Sequence, residues 1–517
     1  MRPRVLKLGT RRSALARAQS AAVALGLEQL HAGLTVELVG IETRGDRIQD
    51  RPLSAVQGKE FFTAEIDTAL MEAAVDFTVH SYKDLSLERS PRLRLAAVPR
   101  REPPYDIALF ARDVPERLAA GYEISVGTSS PRRLSFVPEF LQRMLPRSAG
   151  RAAAIRLVEL RGNVDSRLRR LHEPRGSARQ LDGIVLAFAG LARLWADASG
   201  RGLLEQLFSP LPRMILPVCA CPAAPAQGAL GIECRADDVA TVQLLAAIDH
   251  APTRRAVEVE RALLAERGGG CHQQFGATQI AVPDLGDLLY LREGGQEPQL
   301  RWTPAAPLPT PTGAIRAWDG SRAERAAVEP IAAGITASLQ RLSSAKALFI
   351  AHMRAWPAQA PPLPASASHI YVPGLSSWQG LAERGLWIEG CAEGLGIAAL
   401  EPLLREPLLQ LPELAQWTVL THAAAVGGWA PGQAIATYRH GDSSAADEAT
   451  VPPGGTTHYY WHSSAQFERW RAREGHDAGQ GQHACGPGKT YEHLLRAPVQ
   501  NLYMFPSAAH WRTWMGL

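Results

Sequence analysis

The stretch VLKLGTRRSALARAQSAAVALGLEQLHAGLTVELVGIET, residues 5–43, decides the fold. VLKLGT (5–10) reads as a short strand. Ser13 can cap a helix running through ALARAQSAAVALGLEQL (14–30), and LTVELVGIET (34–43) reads as a second strand. TAEIDTALMEAA (63–74) has helical spacing and FTVHS (77–81) is a third strand. Strand and helix in alternation predict α/β structure with a parallel sheet.

Outward from this stretch, a crossover near REPPYD (101–106) separates it from a second run of the same pattern. There YEISVGTSS (122–130), IRLVELRG (155–162) and DGIVLAFAG (182–190) read as strands with helices between them. From about residue 255 the helix TRRAVEVERALLAER runs into GGGC (268–271). Strand-like FGATQIAV and LLYLREGG, a proline-rich loop (303–313) and a helix at 329–343 follow, an α+β pattern. At Lys346 a new α/β-like pattern opens with ALFIAHM, and later strands are read at HIYVPG, WTVLTH, AIATYRH, HYYWHS and NLYMFPS. No repeat recurs at a fixed period, and a boundary is placed near 345.

The 517 residues allow three or four domains. With 46% hydrophobic and 21% charged residues the composition is that of a globular protein. MRPRVLKLGTRRS lacks a signal-peptide core, and no window approaches the roughly 18 uninterrupted apolar residues of a membrane span. A cytoplasmic protein with no membrane partner is expected. Cys219, Cys221, Cys234, Cys271, Cys391 and Cys485 do not form a disulfide framework, which suits a reducing compartment. A net charge of +4 argues against a general nucleic-acid surface. Only five lysines occur (Lys7, Lys59, Lys83, Lys346 and Lys489), against fifty arginines. A GC-rich genome explains such a bias. It also singles out the lysines that persist, because an ammonium cannot be exchanged for a guanidinium at a tight site.

In open α/β sheets, ligands sit beyond the carboxyl ends of the strands. Polar clusters recur there: Gly9-Thr10-Arg11-Arg12-Ser13, His80-Ser81-Tyr82-Lys83-Asp84, Gly127-Thr128-Ser129-Ser130-Pro131-Arg132-Arg133, the run from Leu160 to Arg167 with Arg161, and Gly190-Leu191-Ala192-Arg193. Ser130 suits an N-cap and Pro131 the first helical position, so free N–H groups and two arginines would face one anion. Any one arginine reads first as a solvated surface charge. The recurring set points to a ligand with several carboxylates or phosphates. Asp84 is a lone carboxylate among cations, either an ion-pair partner or a group for acid/base work or for holding a developing positive charge. Cys271 is either a small residue at a tight turn or, with Gly268–Gly270 leaving it open, a nucleophile or covalent anchor. Cys219, Cys221 and Cys234 have no convincing zinc spacing, and no metal is expected. ACGPGKT (484–490) ends like a phosphate loop, but its opening glycine would fall on His483.

These motifs, in order from about residue 5 to 340, resemble the hydroxymethylbilane synthase (porphobilinogen deaminase) family: GTRRSALARAQ, TRGD (43–46), HSYKD, GTSSPRR, LRGNVDSR, AGLARL, PAQGALGIECR (225–235) and GGGC. The resemblance implies two doubly wound α/β domains like periplasmic binding proteins, 1–104 with 222–240 and 105–221. A small α+β domain, 241–344, would carry the cofactor cysteine. It implies a dipyrromethane cofactor held as a thioether by Cys271, and head-to-tail joining of four porphobilinogens with release of ammonia. Hydrolysis then frees a linear tetrapyrrole, and the protein is expected to act as a monomer. Asp84 would face the pyrrole N–H groups, assist deamination, stabilise the azafulvenium-like cation and help remove the proton after coupling. Lys83 and Arg11 would join it in catalysis. Ser13, Lys83, Asp84, Ser129, Arg132 and Arg133 would hold the cofactor. Arg11, Arg161, Arg167 and Arg193 would hold substrate carboxylates, with Lys59 on a closing loop. Departures from the family pattern are Gln57-Gly58 before the loop lysine, Glu60 after it, Ala64 and Ala226. They bear on loop motion more than on chemistry.

Residues 345–517 resemble uroporphyrinogen-III synthase more faintly, through WIEGCAEGLG (387–396), HSSAQF (462–467) and CGPGKT (485–490). The resemblance implies closure of the tetrapyrrole with inversion of one ring, the backbone amides of Ser463, Ser464 and Thr490 binding carboxylates. The competing readings are a non-catalytic scaffold for this region, and for the N-terminal part a binding module for an anionic ligand.

Overall fold

The computed structural model describes residues 4–43, 63–209, 211–270, 273–311, 314–320, 328–342, 344–360, 363, 368–440, 452–474 and 481–517. Leu6 and Leu8 of the strand Arg4–Arg11 are buried on one face, the two-residue period of a strand. This strand pairs in parallel with Leu34–Ile41 and with Phe77–Ser81. The helix Ala14–Leu30 lays Val23, Ala24 and Leu27 over the same core. The all-parallel expectation fails at the far edge. Leu230–Arg235 runs antiparallel between Phe77–Ser81 and Leu93–Ala97. The second sheet repeats the plan: Ile155–Glu159, Ile124–Thr128 and Gly183–Ala187 are parallel, then Asp106–Phe110 and Arg213–Leu216 each run antiparallel to the strand before. The cause is the chain's route. It leaves the first sheet after Leu93–Ala97 and returns at Leu230, and each crossing delivers a strand against the third parallel one.

The two crossovers, 98–105 and 217–229, run side by side; the Glu102 N–H donates to Gly228 O at 3.0 Å. Gly228 has no room for a side chain, since a Cβ would lie 2.4 Å from Glu102 O. The third unit is the antiparallel sheet Phe275–Val282, Gly286–Glu293 and Gln299–Pro304 under the helix Ala251–Ala265. Its buried Glu260 joins it to both crossovers. The carboxylate accepts from Arg101 Nη1 at 2.7 Å, from the Ala226 N–H at 2.7 Å and from the Gln279 N–H at 2.8 Å.

The C-terminal part holds two sheets. One runs Val328–Pro330, Ala434–His440, Thr418–His422, Ala347–Ile350, His369–Val372, Gly390–Cys391; the other, all parallel, runs Ala317–Trp318, His458–Trp461, Gln482–Cys485, Asn501–Met504. Chain before 345 thus contributes to both, and the boundary read there marks only the first longer strand. The strands at 317 and 328 have two and three residues, too few to show a period. The six-stranded sheet abuts the second sheet edge to edge. The Ile215 N–H donates to Glu389 O at 2.7 Å, and Trp387 Nε1 to Arg213 O at 3.0 Å. One apolar core spans the joint on one face, with Phe110 and Phe140 against Trp387 and Trp378. A second spans the other face, with Leu191 and Phe208 alongside Tyr371 and Trp417. Across the joint, buried Arg213 meets Glu389 at 3.5 Å, and Glu389 also meets His369 at 2.9 Å. Among the described residues no helix is long and apolar enough to cross a membrane.

Candidate active site

Phe77–Ser81 ends in the single turn Tyr82–Asp84. Tyr82 is buried beneath the Arg261 guanidinium, 4.3 Å from its ring. Arg261 donates to Tyr82 O, Leu85 O and Ser86 O, each at 3.0 Å, fixing the turn from the helix Ala251–Ala265. Asp84 stands exposed, and its carboxylate accepts no hydrogen bond among the described residues. Lys83 donates to Gln227 Oε1 at 3.3 Å. Burial pushes the Lys83 ammonium below its ordinary value; Asp84 opposes this and Arg133 adds to it.

Gln227 passes the contact on, donating to Pro104 O at 2.8 Å and to Asp106 Oδ1 at 2.9 Å. Asp106 is fully buried and takes Arg132 Nη2 and Arg133 Nη2, each at 2.7 Å. Burial alone would raise its pKa, but the two guanidiniums hold it well below the usual carboxylate range. The two arginines expected to face one anion at the start of Pro131–Met144 thus share a buried carboxylate of the protein itself. Each has one Nη on Asp106 and the other on a main-chain oxygen, Pro222 O for Arg132 and Val185 O for Arg133. The Nε of each is buried and finds no acceptor among the described residues. Ser130 occupies the N-cap, with Pro131 next, but its hydroxyl makes no capping bond. The first N–H groups of that helix therefore lack a side-chain acceptor.

Arg161 brings buried Nε and Nη2 groups that find no acceptor among the described residues. Arg167 donates to Gly162 O at 2.8 Å; burial, with repulsion from Arg133 and Arg161, lowers its pKa to about 10. Arg133, Arg161 and Arg167 thus share one field with orphaned donors, a set that fits a ligand bearing several carboxylates. Arg193 donates to Gly228 O, and its pKa too is lowered to about 10, chiefly by burial, against Glu102 and Glu406. Arg11 is half-buried at the end of its strand. Ser13 is committed to its helix, its Oγ accepting the Ala16 N–H at 3.3 Å. Ser129 lies half-buried before the cap.

Gly268, Gly269 and Gly270 all take left-handed backbone angles, φ +82°, +71° and +99°, which glycine adopts without steric cost. A Cβ on Gly269 would lie 2.8 Å from Leu87 Cδ1. The glycine turn therefore lies against the segment just past Asp84. Cys271 and Lys59, with Gln57, Gly58 and Glu60, lie outside the described residues. Elsewhere in the first unit, Asp67, His80 and Glu233 offer donor atoms within 4.8 Å of one another. Arg89 already bonds both carboxylates, Asp67 at 2.7 Å and Glu233 at 2.5 Å, and supplies their positive charge. Sequence reasoning passed over Asp106, Gln227, Glu260 and Arg261, although REPPYD, PAQGALGIECR and TRRAVEVERALLAER contain them.

In the C-terminal part, two of the quoted fragments meet: a Cβ on Gly396 would lie 2.7 Å from Gly488 Cα. Lys489 pairs with Glu492 at 3.0 Å and sits 5.1 Å over the Trp429 ring. Ser463 Oγ accepts the Gln466 N–H at 3.3 Å. Ser464 opens the helix Ser464–Glu474, and Thr490 lies in the short helix Lys489–Leu494.

Residues 6–243 match a family model described as porphobilinogen deaminase, dipyromethane cofactor binding domain. A porphobilinogen deaminase of Roseiflexus sp. (strain RS-1) is 42% identical over 287 residues, 56% of this chain and 84% of that protein. One from Mycolicibacterium gilvum (strain PYR-GCK) is 43% identical, covering 54% of this chain and 80% of its own. Among solved structures, YhfZ from Shigella flexneri matches 52% of this chain and 92% of its own at 12% identity with a TM-score of 0.23. The BenM effector binding domain with benzoate matches 52% and 96% at 15% identity and 0.24; likenesses at that level carry no argument.

Proposed function

The chain belongs to the porphobilinogen deaminase family, and from that premise we propose that it joins four porphobilinogens head to tail, as a monomer, releasing four ammonias before water frees the linear tetrapyrrole. The observation that carries this reading is the Tyr82–Asp84 turn, which holds on the first sheet a carboxylate that accepts no hydrogen bond among the described residues, while the second sheet offers Arg161 and the Arg132 and Arg133 Nε–H groups. The matched model is a dipyrromethane cofactor-binding domain, and the orphaned donors fit such a carboxylate-bearing group. Cys271 would hold it through sulfur, with Arg132, Arg133 and Ser129 on its carboxylates. When bound, the group supplies the pyrrole end on which the chain grows.

Asp84, whose carboxylate accepts no hydrogen bond among the described residues, accepts the N–H of the incoming pyrrole and stabilises the positive charge that develops as ammonia leaves. It then takes the proton released on coupling. Lys83, held by Gln227, keeps a cation beside Asp84. Arg11, Arg161, Arg167 and Arg193 hold the substrate's acetate and propionate groups, and Lys59 closes over them. Asp84→Asn should lower kcat at least about a hundredfold, the scale of losing a positioned electrostatic or acid/base group, with little change in melting temperature. Near-normal turnover would refute the role.

For the C-terminal part we propose uroporphyrinogen-III synthase activity, supported by the meeting of its glycine fragments at Gly396 and Gly488. The scaffold reading is favoured by a different observation, the cores shared with the second sheet. The full chain fed porphobilinogen decides between them. Mainly type III uroporphyrin after oxidation supports the synthase, and type I alone supports the scaffold.

A further inference from the structure

Gln227 knits the two crossovers together from one side. On another side, at Tyr105 and Cys219, they meet a residue of the C-terminal part. Glu393 follows the edge strand Gly390–Cys391, and its Oε2 accepts the Cys219 N–H at 2.8 Å. Tyr105 packs against the buried cluster around Leu395, with its hydroxyl beside this carboxylate. One contact thus falls on each crossover. Val218, Leu288, Tyr290 and Leu395 pack into one buried cluster there, drawn from a crossover, the third sheet and the C-terminal part. Glu393 holds φ +54°, a left-handed angle that strains a residue with a Cβ. Gly394 and Gly396, at φ +79° and +85°, supply glycine on either side of Leu395. A strained glutamate kept in such a turn points to a use for its side chain. Burial holds its carboxyl above the ordinary range, while the Cys219, Val218 and Tyr105 hydrogen bonds pull the other way.

We propose that Glu393 is a positioning residue for the deaminase: by tying both crossovers to the C-terminal part, it limits how far the two sheets of the site separate as the chain grows. This rests on the functional reading above. Lys83 and Asp84 stand on the first sheet and Arg132, Arg133, Arg161 and Arg167 on the second unit, so the crossovers set the distance between them.

The test uses the full-length protein with Glu393→Ala, Glu393→Gln and Tyr105→Phe. Amide hydrogen exchange is read on peptides covering 98–106 and 217–229, alongside steady-state kinetics with porphobilinogen. Glu393→Ala should exchange on the order of tenfold faster there, the scale of losing one charge-assisted hydrogen bond, with kcat lowered and KM held. Glu393→Gln, whose amide oxygen can still accept from Cys219 and whose NH₂ can face Tyr105, should restore both. Tyr105→Phe removes one donor and leaves the glutamate, so it decides the matter if the alanine variant fails to fold; a smaller rise in exchange is expected. Wild-type exchange in Tyr105→Phe, or a glutamine variant as loose as the alanine one, overturns the proposal. Exchange is read without turnover. A wild-type protein that left porphobilinogen unconsumed would sink the functional reading and leave the crossover result standing.

Discussion

Ala226 holds φ +63° where the family pattern has glycine, and it is fully buried beside Tyr82, Leu85 and Val98. Relief of the left-handed strain in Ala226→Gly is worth about 1–2 kcal/mol. Against it stand the buried methyl, about 0.8 kcal/mol, and glycine's extra freedom when unfolded, about 0.5–1 kcal/mol. The terms nearly cancel, so Ala226→Gly should shift urea-denaturation stability by less than about 1 kcal/mol; a larger loss would mean that the methyl packing dominates. Glu406 is the second residue to follow. Burial first, then repulsion from Glu102, raises its pKa to about 7, while Arg193 opposes. A carboxyl raised in the fold binds more protons folded than unfolded, so its contribution is full below the unfolded value near 4.5 and is lost as pH rises through about 7. Glu406→Gln should therefore raise the melting temperature at pH 8 and do so less at pH 5. Equal shifts at both would remove the titration from the account.

Elements differ in how far the sequence exposes them. The strands and helices of 5–43 show their periods because each buries one face, and their placement follows from the residues alone. The motif arginines were legible as a set, since charge at strand ends has few structural uses. Their division of labour was not. Arg132 and Arg133 look alike in GTSSPRR, and only the folded chain brings Asp106 from the crossover REPPYD beneath both. The antiparallel strands were hidden for a similar reason: direction depends on where the chain re-enters a sheet, and local pattern carries no record of that. The helix Ala251–Ala265 illustrates the point. Its amphipathic spacing announces a helix, yet the grip of Arg261 on the Asp84 turn is a contact between residues 175 to 179 positions apart. Arg261→Lys keeps the charge but cannot span the three carbonyls. It should cut kcat by roughly tenfold, the scale of one lost positioning hydrogen bond, as measured by initial rates. Wild-type rates would show that the turn holds itself.

At the scale of the whole molecule, the second sheet and the six-stranded sheet share an edge and two cores, so the C-terminal part is not a detachable passenger. A chain ending at residue 345 would bare Phe110 and Phe140 on one face and Leu191 and Phe208 on the other, at roughly 1.5–3 kcal/mol for each large side chain exposed. Such a truncation should be recovered mostly as aggregate, which sedimentation of a fresh lysate would report; a soluble, active fragment would refute the dependence. The same joint imposes an order on biosynthesis. Arg213–Leu216 leaves the ribosome long before Glu389, its partner 174 residues later across the Ile215 and Trp387 contacts. Throughout that interval the nascent chain carries an open strand edge, a template for mispairing. Slow translation between these points, or a shortage of chaperones that shield such edges, should therefore cost this protein more yield than a deaminase whose sheet closes on itself.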